Sequence, residues 1–204
     1  MADRIIPRER VRLIALDLDG TLLDAKGRLP AENARALASF AARGAVVALA
    51  SGRMTDCIAP TAAALGIDCP LVAYNGAMVR DRLSASRRTI FHRPLEPEHG
   101  DRLLEYCADR RFLLNYYLDD VLYADGDPAL RRFADLYAAQ TGARYRFVPD
   151  VRVLKGNAPT KLILIADPVH PDPERTRDGQ HARLTRTLGE AVAIVRTNPE
   201  YLEF

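Results

Sequence analysis

Between Val11 and Leu18 the sequence VRLIALDL is almost continuously apolar and branched, and it runs directly into Asp19-Gly20-Thr21. Such a run predicts a strand buried on both faces, as in a parallel sheet, and so favours folds with helices on both sides of it. The next seventy residues keep that pattern. Ala34, Leu37, Ala38 and Ala41 recur at helical spacing, with Pro30 near the start and Gly44 just past the end. Val46–Ala50 reads as a second buried strand, and Ile58, Ala62 and Leu65 mark a second helix closed by Gly66. Leu71–Tyr74 is a short third strand that ends in the turn dipeptide Asn75-Gly76. Strand, helix, strand, helix, strand is the beginning of a doubly wound α/β domain, and residues 1–93 are assigned to it.

From Pro94 the order changes. Pro94–Gly100 has the composition of a linker. A helix is expected over Glu98–Arg110, strands over Phe112–Leu118 and Val121–Ala124, and a helix over Pro128–Thr141. Strands near Tyr145–Val148 and Thr160–Ala166 come next, then a polar helix ending about Gly189 and strands over Ala191–Thr197 and Tyr201–Phe204. Pro168–Gln180 is polar and rich in proline, so loop competes with helix there. Two adjacent strand pairs make residues 94–204 an antiparallel α+β module rather than an extension of the first sheet.

The net charge of +2 comes from 29 basic and 27 acidic residues, a balance that gives no reason to expect a nucleic-acid or membrane partner. No apolar run approaches the ~18 residues of a spanning helix. Cys57, Cys69 and Cys107 lack metal-ligand spacing and read as reduced thiols of a cytoplasmic protein. Lysine occurs only at positions 26, 155 and 161, so nearly all of the basic charge is arginine.

Asp17 and Asp19 stand where the first strand meets a loop, and open parallel sheets bind ligands outside the carboxyl ends of their strands. Gly20 lets the backbone bend and bring amide groups close to an anion. A carboxylate attacks a phosphate dianion poorly unless a cation offsets the repulsion. Mg²⁺ does so, preferring oxygen ligands such as an Asp carboxylate and a backbone carbonyl. An aspartyl-phosphate on Asp17 divides one hard displacement into two easier ones. Asp19, as the second acid, protonates the leaving oxygen and later activates water. Ser51-Gly52-Arg53 ends the second strand, where the Ser51 hydroxyl and nearby amides are placed to hold phosphate oxygens at a helix N-terminus. A serine there also serves as a plain helix cap. Asn75, ending the third strand, is either a turn residue or a substrate contact.

Asp17-Leu18-Asp19-Gly20-Thr21-Leu22-Leu23, Ser51-Gly52-Arg53 and Asn75-Gly76 together resemble the first two motifs and strand-three turn of the haloacid dehalogenase superfamily. Within it the chain is similar to Cof-type phosphatases with a type IIB α/β cap inserted after the third strand. The resemblance implies a partial Rossmann-like core over residues 1–93 and a cap over 94–204. It implies Asp17 as nucleophile and Mg²⁺ ligand, Asp19 as acid/base and a metal ligand through its carbonyl, and Ser51 as a phosphate contact. Small phosphate monoesters are the implied substrates, selected by cap residues such as those around Asn115–Asp120.

The family pattern continues past the cap with a lysine-bearing helix and an acidic Gly-Asp loop, and neither occurs in this sequence. Lys155-Gly156 and Asp167 do not replace them. About four residues separate Lys155 from the strand near Thr160, whereas a crossover to a parallel strand needs a dozen or more. The expectation is therefore a phosphatase whose core lacks its C-terminal part and whose activity is impaired. Its first strand would be an exposed edge inviting self-association. A phosphosugar mutase-like transferase and a non-catalytic remnant with a binding or assembly role are the alternatives.

Overall fold

A computed structural model describes residues 11–81, 88–110, 112–167 and 176–204. The chain divides at Arg93/Pro94 into two units, Met1–Arg93 and Pro94–Phe204.

The first unit carries β1 (Leu13–Asp17), α1 (Ala31–Ala41), β2 (Val46–Ala50), α2 (Thr55–Leu65) and β3 (Leu71–Ala73). Two further strands complete it, β4 (Met78–Arg80) and β5 (Thr89–His92). The sheet runs β1-β2-β3-β4-β5. β1, β2 and β3 are parallel, whereas β4 and β5 join antiparallel. α1 buries Leu37 and gives way to Gly44 at positive φ. α2 buries Ile58, Ala62 and Leu65 and closes on Gly66 in the left-handed region, a conformation glycine adopts without steric cost.

β1 is not buried on both faces, as its apolar run alone predicts, but is the exposed edge that the family resemblance implies. Its residues alternate between exposed and half-buried, and Leu13 is 57% exposed. β2, by contrast, buries its three central residues. The reason is position: β1 is an edge strand, and among the described residues it pairs only with β2. An apolar run reports what a strand is suited to bury, not how many neighbours it has. β4 and β5 go beyond the sequence expectation. They are three and four residues long, and β5 is exposed throughout, so neither shows an apolar period.

The second unit contains α3 (Pro97–Arg110), β6 (Leu113–Leu118), β7 (Val121–Asp125), α4 (Arg131–Thr141) and β8 (Tyr145–Val148). It continues with β9 (Lys161–Ile165), α5 (Arg177–Leu188), β10 (Val195–Asn198) and β11 (Tyr201–Glu203). The sheet order is β10-β11-β9-β6-β7-β8, antiparallel except between β7 and β8. Gly100 belongs to α3 rather than to a linker. Of the stretch 168–180, residues 168–175 lie outside the described residues. β6 and β7 form a tight hairpin through Asp119 and Asp120, both at positive φ, which matches the twist of two-residue hairpin loops.

One face of this sheet packs a core from Leu103, Leu104 and Cys107 of α3, Leu162 and Leu164 of β9, and Leu184 and Leu188 of α5. On the other lies a tyrosine cluster. The hydroxyls of Tyr117 and Tyr137 are 2.6 Å apart, and the Tyr137 ring meets those of Tyr145 and Tyr201 edge-on. Asn115, Tyr116 and Tyr117 are buried, with Asn115 Oδ1 accepting from the Tyr145 hydroxyl at 2.8 Å. These three side chains lie inside the second unit, whereas Asp119 and Asp120 form the hairpin loop. Lys155 pairs with Glu105, and Asp167 with Arg132 at 2.7 Å, so both take local partners in this unit.

Candidate active site

Register brings the first unit's motif residues to one edge. Asp17 is the partner of Ala50 across β1 and β2, and Ala50 is the partner of Val72 across β2 and β3. The three parallel strands therefore end together, with Asp17, Ser51 and Tyr74 as neighbouring exits from the sheet.

The backbone after Asp17 makes a wide turn in which the Leu23 N–H donates to the Leu18 carbonyl at 2.9 Å. Gly20 sits inside it at φ 76°, a value that disfavours any residue with a Cβ. Leu18, Leu22 and Leu23 are buried, whereas Asp17, Asp19, Gly20 and Thr21 face outward. The apolar residues anchor the turn and leave the polar ones available. Two ties hold its far side. Asn33 Nδ2 donates to the Leu22 carbonyl at 3.0 Å, and Asp24 accepts the N–H groups of Lys26 and Arg28 at 2.8 and 2.9 Å. The Arg28 N–H and guanidinium, with the Lys26 N–H, hold the Asp24 carboxyl below the usual carboxylate range.

Ser51 is buried, and its Oγ accepts the Arg53 N–H at 3.2 Å. It does not cap α2, which begins at Thr55 behind Met54. The plain-cap reading of Ser51 is thus excluded, as is a place for it on the first turn of α2. The strand-three turn is laced to this segment: the Asn75 N–H donates to the Ser51 carbonyl and the Tyr74 N–H to the Arg53 carbonyl, both at 3.1 Å. Tyr74 and Asn75 both have positive φ, and the Asn75 side chain lies against Gly52 so closely that a Cβ there would stand 2.7 Å from Asn75 Oδ1. Gly52 is the residue that permits this approach.

Asp19 has a partner the sequence did not disclose. Arg53 Nε donates to its Oδ2 at 3.0 Å and Arg53 Nη2 to its Oδ1 at 2.7 Å. This is a two-pronged guanidinium–carboxylate pair, the geometry in which arginine is most selective. Thirty-four residues separate the two, and only the parallel pairing of β1 with β2 brings them together.

The donor chemistry suits a hard divalent cation in part. The exposed Asp17 carboxylate and the Asp19 carbonyl are oxygen ligands of the kind Mg²⁺ prefers. Among the described residues, however, no group of three or more acidic, histidine or cysteine side chains is placed to hold a metal ion. The described residues thus supply a fraction of a coordination shell. No described helix is long and apolar enough to cross a membrane.

Residues 14–204 match the family model of haloacid dehalogenase-like hydrolases. The chain is 29% identical over 194 residues to the HMP-PP phosphatase of Citrobacter koseri, covering 94% of this chain and 66% of that protein. It is also 29% identical over 126 residues to the 5-amino-6-(5-phospho-D-ribitylamino)uracil phosphatase YwtE of Bacillus subtilis, covering 62% of this chain and 42% of that one. The crystal structure of TM0651 from Thermotoga maritima superposes with a TM-score of 0.81 at 28% identity, over 95% of this chain and 68% of that one. A haloacid dehalogenase-like hydrolase from Bacteroides thetaiotaomicron shares the fold with a TM-score of 0.80 at 22% identity, over 95% and 70% of the two chains. The chain spans less than two thirds of the length of these curated relatives.

Proposed function

Because the chain belongs to the haloacid dehalogenase-like hydrolases, we propose that it carries the nucleophile side of a Mg²⁺-dependent phosphatase acting on small phosphate monoesters. One observation carries the reading: three adjacent parallel strands deliver Asp17, Ser51-Gly52-Arg53 and Asn75 to a single edge. Isolated Asp-x-Asp or Ser-Gly-Arg strings would carry little weight. Their convergence at the carboxyl ends of a parallel sheet, where such sheets bind ligands, carries much more.

In this reading an Asp17 carboxylate oxygen attacks phosphorus while the ester P–O bond breaks, leaving an aspartyl-phosphate. A protonated Asp19 gives its proton to the departing alkoxide. The Asp19 carboxylate then takes a proton from water as that oxygen attacks phosphorus, releasing inorganic phosphate and restoring Asp17. Gly20, Ser51, Gly52, Arg53 and Asn75 hold the phosphate oxygens. Magnesium held by the Asp17 carboxylate and Asp19 carbonyl would supply positive charge against the dianion. The second unit selects the substrate. Three free thiols fit a reducing compartment such as the cytoplasm. The apolar edge strand β1 suits pairing with a second copy of the chain.

The test is hydrolysis of p-nitrophenyl phosphate with Mg²⁺ by the chain and by Asp17→Asn. Turnover that the substitution abolishes is the expected result. Turnover that survives it would remove Asp17 as nucleophile, and no turnover by the unaltered chain would reduce the function to phosphate binding.

A further inference from the structure

Arg53 holds Asp19 in a way that the proposed chemistry cannot use unchanged. Both oxygens of the Asp19 carboxylate are engaged by the Arg53 guanidinium, yet the acid/base step needs that side chain turned toward the leaving oxygen. The grip must open during turnover. Its geometry suits opening: the Asp19 side chain is 56% exposed and that of Arg53 32% exposed, and ion pairs this wet are weak. Arg53 also belongs to the segment that would meet phosphate, because its own N–H donates to Ser51 Oγ and its carbonyl accepts from Tyr74. Its backbone is therefore fixed while its side chain is free to change partner. A phosphate dianion offers the same planar fork a doubly charged set of oxygens in place of a single carboxylate.

We propose that Arg53 is an exchangeable clasp, holding Asp19 in the empty site and passing to the phosphate when substrate arrives, so that substrate binding itself releases the acid/base. The inference rests on the phosphatase reading and deepens it by giving Arg53 two successive partners. It makes Asp19 a competitor of phosphate for one guanidinium. Ground-state phosphate affinity is then diminished by the cost of opening the pair, and removing the Asp19 carboxylate removes that cost only where Arg53 is present.

A double-substitution cycle on the full chain reads this directly, with inorganic phosphate as the probe, Mg²⁺ present and dissociation constants from ³¹P line broadening. Asp19→Asn is expected to tighten phosphate by about threefold to fivefold, the worth of a half-exposed pair. Arg53→Gln weakens it by about tenfold, the loss of a charged two-pronged contact. In the Arg53→Gln background, Asp19→Asn shifts affinity by less than about 1.5-fold, since no clasp remains to open. Arg53→Lys recovers part of the affinity as a point charge, which a merely structural role for Arg53 does not explain. Near-ultraviolet and far-ultraviolet circular dichroism establish that each variant folds. Equal effects of Asp19→Asn in both backgrounds, or phosphate affinity indifferent to Arg53→Gln, overturn the clasp and leave the phosphate site standing. Failure of every variant and of the unaltered chain to bind phosphate overturns both.

Discussion

Lys161 and Glu203 form the most enclosed ion pair of the second unit among the described residues, and severing it should cost more than any exposed bridge. Lys161 Nζ lies 3.4 Å from Glu203 Oε2, with side-chain exposures of 8% and 16%, and sits 5.4 Å from the Tyr117 ring centroid. Replacing Lys161 by methionine keeps the packing of its stem and deprives the enclosed Glu203 charge of this cation. Breaking a buried pair from one side costs ~3–5 kcal/mol. The long contact, and the Thr197 hydroxyl that still donates to Glu203 Oε1 at 3.2 Å, put this case at the lower end. A loss of about 3 kcal/mol is expected. Glu203→Gln should cost less, about 1–2 kcal/mol, because Lys161 keeps its place over an aromatic face. The double substitution Lys161→Met/Glu203→Leu should return to within about 1 kcal/mol of the unaltered chain, since it removes both desolvated charges. Urea unfolding followed by near-ultraviolet circular dichroism suits the measurement. The chain has no tryptophan, and seven of its eight tyrosines lie in the second unit, so the signal reports that unit. A Lys161→Met loss under about 1 kcal/mol, or a double variant that loses the sum of both singles, would refute the argument that the charges stabilise each other.

Two other outcomes are expected from features of the first unit. Burial, followed by the negative charge of Asp68, pushes the Cys69 thiol up to about 11. At pH 8 a thiol-disulfide reagent should therefore label half-buried Cys57 before Cys69 or Cys107. The folded Cys69 keeps its proton to higher pH than the unfolded chain, whose thiol titrates near the ordinary value of 9.0. Its contribution is thus full below that value and fades as pH rises through about 11, and denaturant midpoints should fall across this window. Leu13→Lys places a charge on the exposed edge strand and should shift sedimentation at micromolar concentration from dimer or larger to monomer. An unaltered chain that sediments as monomer would dispose of pairing through β1.

Much of this arrangement is legible in the sequence. The helical spacing of Leu37 and Ala41, and of Ile58, Ala62 and Leu65, is a property of the helix itself, and α1 and α2 obey it. The hairpin of β6 and β7 is legible because two strong strand formers flank Asp119-Asp120. The features that escape depend on neighbours rather than on local pattern. The Arg53–Asp19 pair joins side chains on two different strand exits, so neither motif hints at the other. Asn115 likewise finds its hydrogen-bond donor in Tyr145, thirty residues away. Tyr74 at positive φ breaks the rule that large residues avoid that region, and its N–H bond to Arg53 is what its backbone gains there.

The strand order of the second sheet also governs how that unit comes together. β9 is buried at every residue, and its two partners, β6 and β11, lie far from it along the chain in opposite directions. Neither pairing forms by a short hairpin closure, so assembly is slow compared with the β6–β7 turn. A nascent or clipped polypeptide ending before Tyr201 would present β9 to water as a bare, uncharged template beyond Lys161, the kind of segment that recruits strands from other molecules.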